Sequence, residues 1–303
     1  MTVIEHLEEY AGLPVHEFEA SAERLPDPET VAWRIGEGRQ GTWRDALIAL
    51  LDSVDAGRIE AIVVGRYGNG DSDDHPGKVL AEVADRLPAL RSLFLGEMTM
   101  EESEISWIVH GDITPLLKAF PKLERLDVRG SDSLVFEPFA SESLRTLRFE
   151  SGGLPVGIVR AVIASDLPNL EHLDLWLGEE EYGGDVRGDD LIGLLSGERL
   201  PALRHLGLEN SEIQDEIAAE VAEAPVVVRL ESLSLAMGVL TDAGGEALLF
   251  GQTLTHLKSL DLHRTFLSDE MAASFRRRLP GVEINLDDRK DAEAHGLYVA
   301  VSE

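Results

Sequence analysis

A chain of 303 residues with 57 acidic and 27 basic side chains carries a formal charge of −30 at pH 7, and it has no cysteine. Disulfides, thiol catalysis and thiolate metal sites are thereby excluded, and a field of this sign disfavours phosphate backbones and anionic lipid surfaces. The expected partner is a protein or peptide, drawn in best where its own surface is basic, with no nucleic-acid or membrane role.

Residues 1–57 read as an N-terminal cap. The start, MTVIEHLEEY, is acidic and lacks the basic and apolar regions of a signal peptide. Segments 13–18 (LPVHEF) and 31–35 (VAWRI) alternate as strands, the proline-bearing ASAERLPDPET between them is a loop, and a helix follows at 42–54. IEAIVVG at 59–65 is the first repeat strand, with a helix at 78–87. In the acidic loop between them, Asp71, Asp73 and Glu82 match three positions of a calcium loop, but Pro76 stands where that loop needs glycine. Gly65, Gly68 and Gly70 likewise miss the dinucleotide-binding spacing. Both motifs are set aside as a surface loop.

From there a phrase recurs: LPALRSLFLGEMTM at 87–100, FPKLERLDVRG at 120–130, LPNLEHLDLWL at 167–177, LPALRHLGLENSEI at 200–213, LESLSLAMGVL at 230–240 and LTHLKSLDLHRTFL at 254–267. Helices are expected near 114–119, 156–164, 188–195, 214–223, 243–250 and 268–278. Two inserts interrupt the pattern. In the first, at 96–113, Ile105, Trp107 and Ile108 should tuck back over the edge, with an exposed contact Trp107 as the alternative. The second, at 177–190, should overhang one rim. VEINL at 282–286 closes the array, and LYVAV at 297–301, within the tail 287–303, docks as an extra strand. No apolar run approaches the ~20 residues of a membrane span, so a cytoplasmic monomer is expected.

In the phrase L-x-x-L-x-L the last two leucines point to one side of a strand and the residue between them to the other. One strand cannot hide such leucines, whereas stacked repeats line them into a shared core. The anchors Ile59, Leu90, Leu123, Leu144, Leu170, Leu203, Leu230 and Leu257 return after 21 (Leu123 to Leu144) to 33 residues (Leu90 to Leu123). Most intervals leave room for a crossover helix, and the shortest leaves an irregular loop. The expected fold is an α/β leucine-rich-repeat solenoid of about eight repeats over 58–286. It forms a curved right-handed β/α superhelix with parallel strands on the concave face and helices outside.

VLTDAGGEALL at 239–249 resembles the strand-to-helix passage of ribonuclease-inhibitor-type leucine-rich repeats, where Thr-Asp opens a helix and a glycine permits close packing. Thr241 or Asp242 is the expected N-cap. GLPVHEF, EISWIV, LWLGEEEYGG at 175–184 and YVAVSE extend the likeness to an uncharacterised family of bacterial leucine-rich-repeat proteins. That resemblance implies the fold, and an accessory role beside neighbouring modifying enzymes. The chain departs from many such repeats at the turn position usually held by Asn or Cys, here Met98, Ser131, Gly152, Gly178, Ser211, Gly238 and Thr265. A regular asparagine ladder is therefore not expected.

Alternation assigns three outward rows: Ala61, Ser92, Arg125, Thr146, His172, His205, Ser232, Ser259; then Val63, Phe94, Asp127, Arg148, Asp174, Gly207, Ser234, Asp261; then Gly65, Gly96, Arg129, Glu150, Trp176, Glu209, Ala236, His263. The candidate partner-binding residues are Arg125, Asp127, Arg129, Arg148, Glu150, His172, Asp174, Trp176, His205, Glu209, Asp261 and His263. Cross-strand ion pairs explain most of these charges, and Trp176 is the expected exposed contact. The function expected is a non-catalytic interaction module or scaffold, with no cofactor. The alternative is a metal-binding or hydrolytic enzyme centred on His172 and His205, with Asp174 and Glu209 nearby. Against it stands the expectation that neighbours on a parallel sheet point straight out and do not converge. No G-x-S-x-G, H-E-x-x-H or P-loop occurs.

Overall fold

The structure is a computed structural model that describes residues 5–37, 41–68 and 75–303. Gly70, Asp71 and Asp73 of the acidic loop lie outside the described residues. The chain forms two compact units that divide between Leu147 and Arg148, inside the span assigned to repeats.

In the first unit β1 (Glu9–Tyr10) pairs antiparallel with β2 (Leu13–Glu17) through a two-residue turn, Ala11–Gly12, with both residues at positive φ. Then β2, β3 (Ala32–Ile35), β4 (Ala61–Val64), β5 (Ser92–Leu95) and β6 (Arg125–Arg129) run parallel in chain order. The register places Trp33 beside Ile62, Ile62 beside Leu93 and Leu93 beside Leu126. The segments expected to form a cap thus already belong to the parallel ladder. Helices α1 (Trp43–Ser53), α2 (Pro76–Glu82) and α3 (Thr114–Ala119) fill the crossovers. A reciprocal Thr42–Asp45 cap opens α1. The first insert is tied down by Ile105 and Ile108, both buried, while Trp107 is left 59% exposed. Single bridges Val109–Asp132 and Asp112–Val135 link this insert to the loop after β6, where no helix forms among the described residues.

β7 (Thr146–Glu150) carries the division. In the second unit β8 (His172–Gly178), β9 (His205–Ser211), β10 (Ser232–Ser234), β11 (Ser259–Asp261) and β12 (Glu283–Asn285) again pair parallel in chain order. Leu173, Leu206, Leu233, Leu260 and Ile284 stand opposite one another. The four leucines are at most 1% exposed, and each contributes roughly 1.5–3 kcal/mol by burial. The crossovers hold α4 (Val156–Ala164), α5 (Gly188–Leu195), α6 (Gln214–Glu223), α7 (Asp242–Phe250) and α8 (Asp269–Arg278), and α9 (Ala292–His295) lies in the tail. Thr241 caps α7 and is itself clamped by Asp215, whose carboxylate also accepts from the Gly244 amide at 3.1 Å. Asn210, near the end of β9, and Met237 and Arg264, just past β10 and β11, occupy left-handed φ 27 residues apart. No single residue type serves these turns: Gln214 donates to the Leu208 carbonyl at 2.7 Å and Thr265 to that of Leu262 at 2.8 Å. Each unit is a solenoid-like α/β arrangement with a mostly parallel sheet.

The tail corrects one expectation. Residues 297–301 form no strand. They dock instead at the C-terminal ends of β9 and β10, through reciprocal Asn210–Val301 bonds and the Ala300 amide on the Met237 carbonyl. The second insert makes a 3-10 turn at Glu180–Tyr182 and bonds back to the 152–154 loop.

Candidate functional site

Outward residues have different fates in the two units. In the first, Ala61, Val63 and Phe94 are apolar and buried beneath the protein's own N-terminal segment, with Leu7, Tyr10, Leu13 and Val15 packed on them. Polar groups fasten that segment. The Tyr10 hydroxyl donates to Asp127 Oδ2 at 2.8 Å, the Leu7 amide donates to Glu97 Oε1 at 3.1 Å, and His6 Nδ1 lies 3.2 Å from Glu97 Oε2. Asp127 is fully buried and also accepts from Arg125 Nε at 2.7 Å, while buried Arg129 donates to the Met98 carbonyl at 2.8 Å. Asp127 and Arg129 therefore hold structure together and do not face solvent. Arg125, with a third of its side chain exposed, covers the Tyr10 ring at 4.9 Å.

In the second unit the outward residues are polar and interlocked. His172 and His205, opposite each other on β8 and β9, stack with centroids 3.9 Å apart and 10° between planes. Both reach the Asp174 carboxylate, His172 Nε2 at 2.6 Å from Oδ2 and His205 Nε2 at 2.8 Å from Oδ1. The expectation that these side chains diverge was wrong, and Gly207 is the reason. It sits opposite Asp174 on β9, and a Cβ there would collide with Asp174 Oδ1. Only the missing side chain lets the carboxylate lean across to the second histidine. Burial pushes the Asp174 carboxyl up, but the two histidines outweigh it and hold it well below the usual carboxylate range. His205 Nδ1 continues the row to Ser232 Oγ at 2.7 Å.

Trp176 is the clearest correction: it is 1% exposed. Its indole N–H donates to Glu209 Oε2 at 2.6 Å, and the Arg148 guanidinium covers its ring at 5.3 Å. Alternation told which side of the strand it occupies, not what lies on that side. Arg148 also meets Glu150 at 3.1 Å and, less closely, Asp174 at 3.8 Å. Glu150 is buried, and so is Glu209, which accepts from Ser234 Oγ as well. Burial raises the Glu209 carboxyl, as does the Asp174 charge. Asp261 and His263 pair with each other at 2.9 Å and stay half-buried; burial raises the Asp261 carboxyl, and its bonds to His263 more than reverse that.

Of the twelve sequence candidates, the structure gathers His172, Asp174 and His205 into one cluster, with Arg148, Glu150, Trp176 and Glu209 in a buried network beside it. Ser232 and Gly207 were not among them. Their signal was present in the same lateral rows, but neither residue type announces chemistry alone. On β8 to β11 and the residues just after them, the partly exposed outward side chains form a strip of His172, His205, Ser232, Ser259, Asp261 and His263.

No protein-family model and no curated protein matches the chain. Among solved structures, a Bacteroides fragilis protein whose crystal structure was determined as a structural-genomics target is similar, at 29% identity and a TM-score of 0.80, over 88% of this chain and 77% of that one. No helix among the described residues is long and apolar enough to cross a membrane. The likeness makes the fold a shared one.

Proposed function

We propose that the chain is a leucine-rich-repeat protein acting as a non-catalytic interaction module, and that the polar strip on β8 to β11 receives an extended, basic segment of a partner protein. The observation that carries this reading is the N-terminal segment. Residues 7–13 lie against the strand face of β4 and β5 and are held by side-chain anchors and two buried carboxylates, much as a bound peptide is held. The strip offers the same backbone platform, with polar anchors in place of apolar ones. His172, His205, Ser232, Asp261 and His263 are held by side-chain hydrogen bonds, so less ordering entropy remains to be lost on binding. A charge of −30 favours a cationic partner and speeds its encounter.

The test is affinity capture with wild type and with Ser259→Arg, which adds bulk and positive charge to the strip. Captured partners are then remade and their binding titrated directly. A partner bound by wild type and lost with Ser259→Arg is the expected result. Equal binding of every partner to both would reject the strip as the surface.

A further inference from the structure

We infer that His172, Asp174 and His205 form a binding site for a divalent transition-metal ion, of which Zn²⁺ is the best chemical match. Two imidazole nitrogens and one carboxylate oxygen all lie within 4.8 Å of one another. Nitrogen and oxygen donors of this kind suit zinc and its borderline neighbours, whereas calcium and magnesium call for oxygen alone. An ion about 2.0–2.1 Å from each donor separates tetrahedral ligands by about 3.3 Å. The present nitrogen–oxygen separations are 2.6 and 2.8 Å. These contacts reach different oxygens of the carboxylate and the two rings stack 10° from parallel, so an ion shared by all three groups requires the His172 ring, 38% exposed, to tilt out of the stack.

The proton inventory closes without a co-reactant. A carboxylate only accepts, so each Nε2 now carries a hydrogen aimed at Asp174. On metal binding Nε2 gives up that hydrogen and presents its lone pair, and the N–H of the ligating ring stands at Nδ1. For His205 the relocated N–H meets Ser232 Oγ, already at 2.7 Å, and the serine hydroxyl turns to accept it. A ligating histidine held through its other nitrogen is the ordinary second layer of a metal site. Asp174, Glu150 and Glu209 all interact with the Arg148 guanidinium. Three protein donors leave coordination positions for water or for a group from a partner. The site is built by position as well as by residue type: register sets the histidines opposite each other, and Gly207 admits the carboxylate between them.

The experiment is calorimetric titration of tag-free, chelator-treated full chain with Zn²⁺, with Co²⁺ as a spectroscopic substitute whose visible bands report its donors. The proposal predicts one saturable equivalent of Zn²⁺ and no comparable binding of Ca²⁺. His172→Ala and His205→Ala should each weaken Zn²⁺ by about a hundredfold or more, and Ser232→Ala by roughly tenfold. His256→Ala, whose ring contacts only the Val227 carbonyl among the described bonds, should leave affinity unchanged. Circular dichroism checks that each variant is folded, and His172→Ala is the safest, since that side chain is partly exposed. Absence of a saturable equivalent overturns the proposal, and so does a folded His172→Ala that binds Zn²⁺ and shows Co²⁺ bands like wild type.

Discussion

The strand faces of the two units share a backbone plan and differ in what stands on it. On β4 and β5 the outward residues are Ala61, Val63 and Phe94, and the chain folds its own N-terminal segment over them. On β8 to β11 they are His172, His205, Ser232 and Asp261: the histidines share Asp174, His205 also reaches Ser232, Asp261 pairs with His263, and all four stay partly open. The contrast teaches that the ladder itself is neutral. An apolar face has to be covered, since leaving it wet forfeits roughly 25 cal/mol per Å². A polar face can be satisfied laterally and left available.

The strongest way to break this comparison is to strip the cover. Tyr10→Ala removes a buried ring and a donor to buried Asp127, and should cost about 3–5 kcal/mol in urea unfolding. A cost below about 1 kcal/mol would mean the segment is only loosely seated.

Next comes pH. His110, in the first unit, is buried between the Arg129 carbonyl at 2.8 Å and Tyr67 at 3.2 Å, and burial pushes it down to about 4 from an ordinary 6.5. The folded value lies below the unfolded one, so protonation favours the unfolded chain. Stability should fall as pH drops from 6.5 and level off below 4, by roughly 3 kcal/mol from this group. His110→Gln should remove that part of the pH slope, and an unchanged slope would assign it elsewhere.

Gly207→Ala sharpens the comparison on the open side. Its Cβ meets Asp174 Oδ1, so the carboxylate must swing away, at about 1–3 kcal/mol in unfolding experiments, and Zn²⁺ binding should go with it. The smallest effect is expected from His172→Ala, about 1 kcal/mol or less, because the ring is partly wet. A larger loss would make the cluster a structural staple.

The repeat ladder was legible in the sequence because its cause is local. Leucines two apart fix which side is core, and the register Leu173–Leu206–Leu233–Leu260 follows directly. Helix ends were legible for the same reason, down to Thr241 as a cap. Exposure was not. Trp176, Asp127 and Glu209 were placed on the correct side of their strands, yet they are buried, because what covers a face arrives from distant segments or from large neighbours such as Arg148. Likewise LYVAV has the composition of a strand, but it is held by two bonds to the Asn210 side chain and one to the Met237 carbonyl and pairs with no strand.

The space over Gly207, taken by the Asp174 carboxylate, ties two positions on adjacent strands into one unit of inheritance. A side chain can enter at 207 only if the carboxylate at 174 turns aside, and that carboxylate keeps its hold on both histidines only while 207 stays bare. Repeats joined in this way cannot be duplicated, swapped or deleted one at a time, as beads in an array can. Any attempt to lengthen this protein by inserting a copy of one repeat should therefore cut elsewhere than between β8 and β9, where the two modules have become a single part.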